Sequence, residues 1–494
     1  MRGLRRITCL ILAGTLSFVA AGIMAAGPAT AARPLATGVT VIDGSTQVGL
    51  GFERMKGAGA DFTRITIFWD TVAPKSKPDD WNPADPADPH YDWSAPDKTV
   101  EAAVAAGLTP LVQIFKAPRW AERCKAAYEG ICDPDPGEFA RFTAAATKRY
   151  SGDFEGLPRV KYWQPLNEPN LATYLKPQYK NGKSGKPVSV DLYRNLLNRF
   201  AIAVKAADPR NMVVAGGLAP LGGTGSPSPL DFARRLLCMK GRAHPRPIGS
   251  CNFTARFDIW AHSAYTSGGP THKSIAPDDV QLGDLREMAK LIRKAKAAGH
   301  IRSAAGKVPF WITEFSWDSA PPDPGGLKMG LLTRWTSEAM FRSWQAGVSK
   351  FFWFTLRDWK RPAELPFSQT IDAGLYFRGS SVADDKPKAV LKAFRFPFVA
   401  FTKPKGISIW GRTADSSAGK VTISFRKAGS RNWRKLSSVR ANGTGIFTRK
   451  IKTRLGRNKR GFVKATFEGN DSLAFSLKPV PDRIVNPFGT PGSG

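Results

Sequence analysis

VKYWQPLNEPN, residues 160–170, runs from an apolar, strand-like segment straight into a glutamate, Glu168. WITEFSWD, residues 311–318, does the same and reaches Glu314. Apolar runs of this length recur between residue 37 and about 400. The strand candidates are Gly38–Ile42, Phe62–Phe68, Thr109–Phe115, Val160–Leu166, Met212–Gly216, Phe257–His262, Val308–Thr313 and Lys350–Phe354. Amphipathic helical patterns lie between them. Ser94 and Asp97 have the spacing of a capping box, and Gly107 closes that helix. Asp135-Pro136 supplies a cap and a first turn, with Phe139, Phe142, Ala146 and Tyr150 following at helical spacing. Further stripes run through Leu192, Leu196, Phe200 and Val204, through Leu285, Met288, Ile292 and Ala295, and through Leu331, Trp335 and 340–344. Eight strands alternating with helices predict an α/β fold, a (β/α)8 TIM barrel with insertions. The rival is an open doubly wound sheet. It lacks a Gly-rich phosphate loop after the first strand, and GGLAPLGGTG at 216–225 follows the fifth run without the lysine of a P-loop.

The pattern changes after about Phe398. KVTISF (420–425), WRKLSSVR (433–440), GIFTRKIK (445–452), GFVKATF (461–467) and SLAFSL (472–477) alternate apolar and polar residues, with turn residues between them. That predicts an all-β sandwich domain at the C-terminal end. The expected organisation is a signal peptide at 1–31, a catalytic barrel at 32–400, an accessory β-sandwich at 401–479 and a disordered tail at 480–494. Arg2, Arg5 and Arg6, an apolar run from Cys9 to about Ala26, and the small residues Ala29-Thr30-Ala31 give the signal pattern. The residues flanking Arg5-Arg6 do not support twin-arginine export. The expected location is therefore secreted, extracellular or wall-associated, with no transmembrane segment after signal cleavage.

Four cysteines follow the signal: Cys124, Cys132, Cys238 and Cys251. Two local disulfides, 124–132 and 238–251, are the simplest of three pairings. The alternative is a zinc site, against which stand the absence of CxxC and a total of five histidines. The 73 Lys and Arg against 40 Asp and Glu give a net charge of +33. Residues 401–494 hold 20 basic and 4 acidic residues, a net of +16. Such a field favours polyanions. For an exported protein these are anionic cell-wall polymers or acidic polysaccharides rather than nucleic acid. General solubility accounts for the charge equally well.

Residues at the carboxyl ends of barrel strands face the active site. Two carboxylates placed there are what glycosidic cleavage requires, one as proton donor and one as nucleophile or base. Asn167-Glu168-Pro169 after the fourth strand, with Glu314 after the seventh in W-I-T-E-F, resembles the clan of retaining β-glycosidases built on (β/α)8 barrels. That clan, glycoside hydrolase clan A, includes families 5 and 39, and the resemblance covers about residues 37–400. It implies Glu168 as general acid/base and Glu314 as nucleophile. It further implies substrate-binding roles for Arg64 (beside the nucleophile), Asn167 (on the sugar 2-hydroxyl), Tyr265 (on the nucleophile) and Trp353 (a subsite floor). His262 either contacts substrate or is a satisfied barrel-top histidine. The expected substrate is a β-linked poly- or oligosaccharide, and no metal or organic cofactor is expected. The stretch LVQIFKAPRWAE at 111–122 departs from family 5, which has a histidine there, and is closer to family 39. Trp69, Phe115, Trp120, Trp317 and Trp359 are candidate sugar-stacking residues. Lys116 and Arg119 suit either an acidic sugar or a solvated rim. The alternative function is a catalytically silent carbohydrate- or wall-binding protein. A glutamine in place of either glutamate would have favoured it, and neither is present.

Overall fold

The computed structural model describes residues 33–40, 48–125, 129–180, 185–251, 253–303, 305–362, 364–453, 455 and 460–485. The signal pattern at 1–31, residues 181–184 of the polar stretch KPQYKNGKSGKP (176–187) and the end of the tail lie outside them. Eight parallel strands close into a barrel in the order of the chain: β1 (Ala36–Thr40), β2 (Phe62–Phe68), β3 (Thr109–Phe115), β4 (Tyr162–Pro165), β5 (Met212–Leu218), β6 (Ile259–Ser263), β7 (Phe310–Glu314) and β8 (Val348–Trp353). A helix follows each strand: α1 (Val48–Gly57), α2 (Ser94–Ala105), α3 (Pro136–Arg149), α4 (Ser189–Ala207), α5 (Pro229–Leu236), α6 (Leu285–Ala297), α7 (Met329–Ala346) and α8 (Ala389–Arg395). Each crossover returns the chain to a parallel neighbour, as the alternation of apolar runs requires.

The helices α1 and α8 carry no clear stripe in the sequence, since Gly49 and Gly51 dilute the pattern of α1 and α8 is only 7 residues long. The short α5 is amphipathic, burying Leu230, Phe232, Ala233 and Leu236. The helix α2 starts at Ser94 as expected, but its capping box does not form. Asp92 instead accepts from the Ser94 N–H at 3.0 Å and from its hydroxyl at 2.6 Å. Asp97 is held by Arg149, through Nε at 2.8 Å and Nη2 at 2.6 Å, and by the Tyr150 hydroxyl at 2.8 Å. A two-pronged charged partner outweighs a single cap bond. Asp135 does cap α3, accepting from the N–H groups of Gly137 and Glu138 at 2.8 and 2.9 Å.

Side chains alternate along a strand, so residues two apart share a face. At the starting ends of the strands the inward face is apolar. Phe62, Leu111, Val214, Ile259, Trp311 and Phe352 form a core there, with Tyr162 packed against it. The Lys350 ammonium lies over this plug, 3.9 Å from the Phe62 ring centroid. Burial pushes its pKa down to about 8. Two residues further along, the inward face turns polar: Arg64 follows Phe62, Gln113 follows Leu111 and Gln164 follows Tyr162. One end of the barrel is thus closed by aromatic packing and the other is lined by polar side chains.

The sandwich begins at Phe398, three residues before the expected boundary. One sheet has the order β9 (Phe398–Lys403), β10 (Gly406–Arg412), β13 (Ile446–Lys452). The other has β12 (Arg434–Ala441), β11 (Gly419–Lys427), β14 (Gly461–Phe467), extended by short strands at 470–471 and 475–476. Phe341 and Trp344 of α7 pack on Phe401 and Trp410 of the sandwich. Both disulfides, Cys124–Cys132 and Cys238–Cys251, are formed. No helix among the described residues is long and apolar enough to cross a membrane. The tail also differs from expectation, because Asp482 and Val485 hydrogen-bond to the barrel.

Removing the α3 cap tests the local reading. Asp135→Ala is expected to destabilise the protein by about 1 kcal/mol, seen as a lower urea midpoint at unchanged slope.

Candidate active site

Glu168 and Glu314 meet at the polar end of the barrel. Both line a cleft of about 1060 Å³ formed by the loops after the strands, and both are buried, at 7 % and 6 % exposure. The backbone prepares each position. Past β4 the chain leaves extended geometry, with Leu166 at φ 56° and Glu168 at φ 34°. Non-glycine residues reach this left-handed region only against strain. That turn ends β4 at Pro165 and carries Glu168 over the barrel mouth. At the other site the register between β7 and β6 shifts between Ile312 and Glu314, which sets Glu314 opposite Ser263. Such an irregularity at a strand end re-aims a side chain.

The two carboxyl groups have different neighbours. An Arg64 Nη2 donates to Glu314 Oε1, and the Tyr265 hydroxyl donates to Oε2 at 3.0 Å. Burial and both nearby carboxylates raise the Tyr265 pKa well above its ordinary value, so it remains a donor. Glu168 has no cation in contact among the described residues. Burial and the Glu314 charge push its pKa up to about 8, opposed only in part by the Ser263 hydroxyl and the Arg64 charge. Asn167 lies between the two halves of the site: its Oδ1 is 3.5 Å from Arg64 Nη1 and 3.4 Å from Gln113 Nε2. Gln113 is itself held by the Leu166 carbonyl at 2.8 Å and the Thr66 hydroxyl at 3.2 Å.

Arg64, Asn167, Glu168, Tyr265 and Glu314 are therefore brought together. His262 and Trp353 are not among the residues lining the cleft. His262 is fully buried, with Nε2 2.7 Å from the Val280 carbonyl. Burial lowers its pKa to about 4, so it stays neutral. Trp353 is also fully buried and donates Nε1–H to the Ala373 carbonyl at 2.7 Å, with its ring against Phe394. The next residue, Phe354, lines the cleft instead. A one-residue step along a strand reverses the side chain's direction, and the apolar run FFWF hides which position points inward.

Of the candidate stacking residues, only Trp359 lines the cleft. Trp69 stacks on Phe142, Trp120 stands edge-on to Trp69 and Trp81, and Trp317 is fully buried beside Phe315. Phe115 touches Tyr174, which does line the cleft. Lys116 and Arg119 are tied to Asp70 and Glu122, each at 2.8 Å. Tyr174, Leu171, Phe354 and Ile371 are among the wall residues that the sequence reading did not mark. Tyr174 had a signal, as an aromatic six residues past Glu168 on the same loop. Ile371 had none.

The cysteine pair and His300 place three metal-ligating atoms within 4.8 Å of one another, but both sulfurs there are spent in the Cys238–Cys251 bond. Glu168 and Glu314 belong to no such cluster among the described residues.

Neither a protein-family model nor a curated protein matches the sequence. Solved structures do match. A monomeric beta-xylosidase from Caulobacter crescentus CB15 aligns at a TM-score of 0.50 and 16 % identity, over 86 % of this chain and 95 % of that one. A GH39 beta-xylosidase from Caulobacter crescentus aligns at 0.50 and 16 %, over 80 % and 84 %. A GH39 enzyme from Xanthomonas axonopodis pv. citri aligns at 0.48 and 16 %, over 86 % and 92 %. At this identity the likeness to the first two shows the fold alone, the (β/α)8 barrel.

The raised pKa of Glu168 has a consequence for stability. A carboxyl raised from its ordinary value near 4.5 to about 8 adds stability that is complete below pH about 4.5 and lost as pH rises through about 8. Asp318, raised to about 8 mainly by burial, adds a similar slope. Glu168→Gln is therefore expected to be less pH-sensitive than wild type. Its stability relative to wild type should grow from pH 5 to 8 in urea titrations and level off above, with the Asp318 share of the slope remaining. A constant offset across this range would remove the assignment.

Proposed function

We propose that this chain is a secreted retaining β-glycosidase that cleaves a β-linked poly- or oligosaccharide, with Glu168 as acid/base and Glu314 as nucleophile. One observation carries the reading: two carboxyl groups in one cleft, the first kept protonated by burial and a like charge, the second held by a guanidinium and a phenol. Environments that push paired carboxyl groups apart mark acid and nucleophile. The walls suit a sugar, whose C–H faces pack on aromatic and aliphatic groups such as Phe354, Trp359 and Leu171. The two disulfides fit an oxidising, extracytoplasmic location.

The steps follow from these environments. A Glu314 oxygen attacks the anomeric carbon as the bond to the leaving oxygen breaks, and Glu168 gives that oxygen its proton. Asn167, next to Glu168 in the chain and beside Arg64, is our candidate for holding the 2-hydroxyl of the sugar. The glycosyl ester formed on Glu314 carries no charge, so one of the two causes that raise Glu168 disappears. Its pKa then falls, and it becomes the base that takes a proton from the incoming water. That water attacks the anomeric carbon from the side the leaving group vacated and releases Glu314. Two displacements restore the original configuration.

The sandwich adds a second contact surface. On β11 and β14, Arg426 and Lys464 flank Trp433, at 5.3 and 5.0 Å from its ring centroid. Arg434, Lys435, Arg440, Arg449, Lys450 and Lys452 are exposed nearby in the chain. This basic surface is our candidate for holding the enzyme to anionic wall polymers.

Glu168→Gln is expected to lower kcat/KM by about 10²–10⁴-fold, and Glu314→Gln to lower it to background. Wild-type activity should fall above pH about 8 as Glu168 loses its proton, and proton NMR should show a product of retained configuration. Turnover by Glu314→Gln at the wild-type rate would overturn the assignment. The joint change of Arg426 and Lys464 to Gln should reduce retention of the full chain on bacterial cell walls at low salt, and the wild-type retention should fall with added salt.

A further inference from the structure

Beyond the sandwich the chain turns back to the barrel. Arg334 of α7 anchors the start of this return, donating to the Ser476 carbonyl at 2.6 Å with its guanidinium 4.2 Å from the Phe475 ring centroid. Asp482 then bridges two groups of the loop after β6. Its Oδ1 accepts from the Gly269 N–H at 2.8 Å, and its Oδ2 meets His272 Nδ1 at 2.8 Å. Three residues on, the Val485 N–H donates to the Ser267 carbonyl at 2.9 Å. The crossing is close: a Cβ on Gly269 would come within 3.0 Å of both Asp482 Oδ1 and the Trp335 ring. The segment therefore has three fixed polar contacts and a backbone shaped to receive it.

What the segment presents matters more than how it is held. Arg483, Ile484 and Val485 line the same cleft as Glu168 and Glu314. Arg483 is exposed, with its guanidinium 5.9 Å from the Trp335 ring centroid. Among the described residues no carboxylate pairs with it, and no other Lys or Arg lines the cleft. Lys116 and Arg119, the cations that the sequence offers for an acidic sugar, are each committed to a carboxylate. A guanidinium without a carboxylate partner, beside the apolar Ile484 and Val485, is suited to a planar anion, which it can meet with two parallel N–H donors.

Resting on the glycosidase reading, we propose that Asp482–Val485 is a wall of the substrate cleft and that Arg483 on it determines specificity by pairing with a carboxylate on the saccharide. The preferred substrates are then β-linked chains that bear a uronic acid on a sugar other than the one being cleaved. Arg483 reads substrate and takes no part in bond breaking. Because the guanidinium is solvated, the pairing is worth a modest factor, about fivefold in affinity, and it weakens as salt screens it.

The test uses the full chain carrying Glu314→Gln, so that binding is measured without turnover. Calorimetry would compare cello-, xylo- and manno-tetraose with oligosaccharides of the same backbones bearing one glucuronic acid. The acidic form of one backbone is expected to bind about fivefold more tightly than its neutral form, and this ratio is expected to fall with added salt. Adding Arg483→Gln should bring the ratio to about one, and Arg483→Lys should keep part of it. Asp482→Ala, which frees the segment while leaving Arg483 in place, should also lower the ratio. A ratio near one in the starting chain, or a ratio that Arg483→Gln leaves unchanged, overturns the proposal. In either case neutral oligosaccharides that still bind leave the glycosidase reading standing. If no oligosaccharide of either kind binds and wild type cleaves none, both fall.

Discussion

Two carboxyl groups buried in one cleft cannot both ionise unless a cation stands beside them. Here the cation is Arg64, and it stands beside only one, Glu314. That asymmetry divides the labour of the site. It depends on strand β2 delivering an arginine to the barrel interior two residues after Phe62, the residue that plugs the opposite end. The same alternation that makes one end of the barrel a core makes the other end a polar lattice of Arg64, Thr66, Gln113 and Asn167. The lattice sets the two glutamates in place, and their mutual field then sets their protonation.

Much of this was legible in the sequence because the physics involved is periodic. The strands at 62–68 and 109–115 have the bounds that the apolar runs predict, since nothing interrupts their alternation. Glu168 and Glu314 were legible because strand ends in a parallel barrel converge. Arg64 and Tyr265 came through resemblance, and the structure joins both to Glu314.

The rest was hidden for identifiable reasons. The choice between Trp353 and Phe354 turns on strand phase, and FFWF is apolar at every position. His262 looked available because it ends a predicted strand, yet its ring is fully buried and its Nε2 is engaged by the Val280 carbonyl. Aromatic residues outnumber those that reach the cleft, since Trp69, Trp120 and Trp317 pack on other rings. The return of residues 482–485 to the barrel could not be read at all. A Pro- and Gly-rich stretch has the composition of disorder, and the contacts that order it lie more than 200 positions earlier.

The helix α7 has two partners. Its residue Trp335 packs on Trp317, just past the strand that carries Glu314, while Phe341 and Trp344 pack on Phe401 and Trp410. On the far side, Arg412 reaches the Gly59 carbonyl at 3.3 Å, in the turn before β2. Appended β-sandwich modules are commonly pictured as interchangeable cartridges on a string. This one shares a helix with the barrel and leans on the turn that leads into the strand supplying Arg64. Exchange of the module between proteins would therefore have to bring along a matching helix face, so the two halves of this chain are bound to change together.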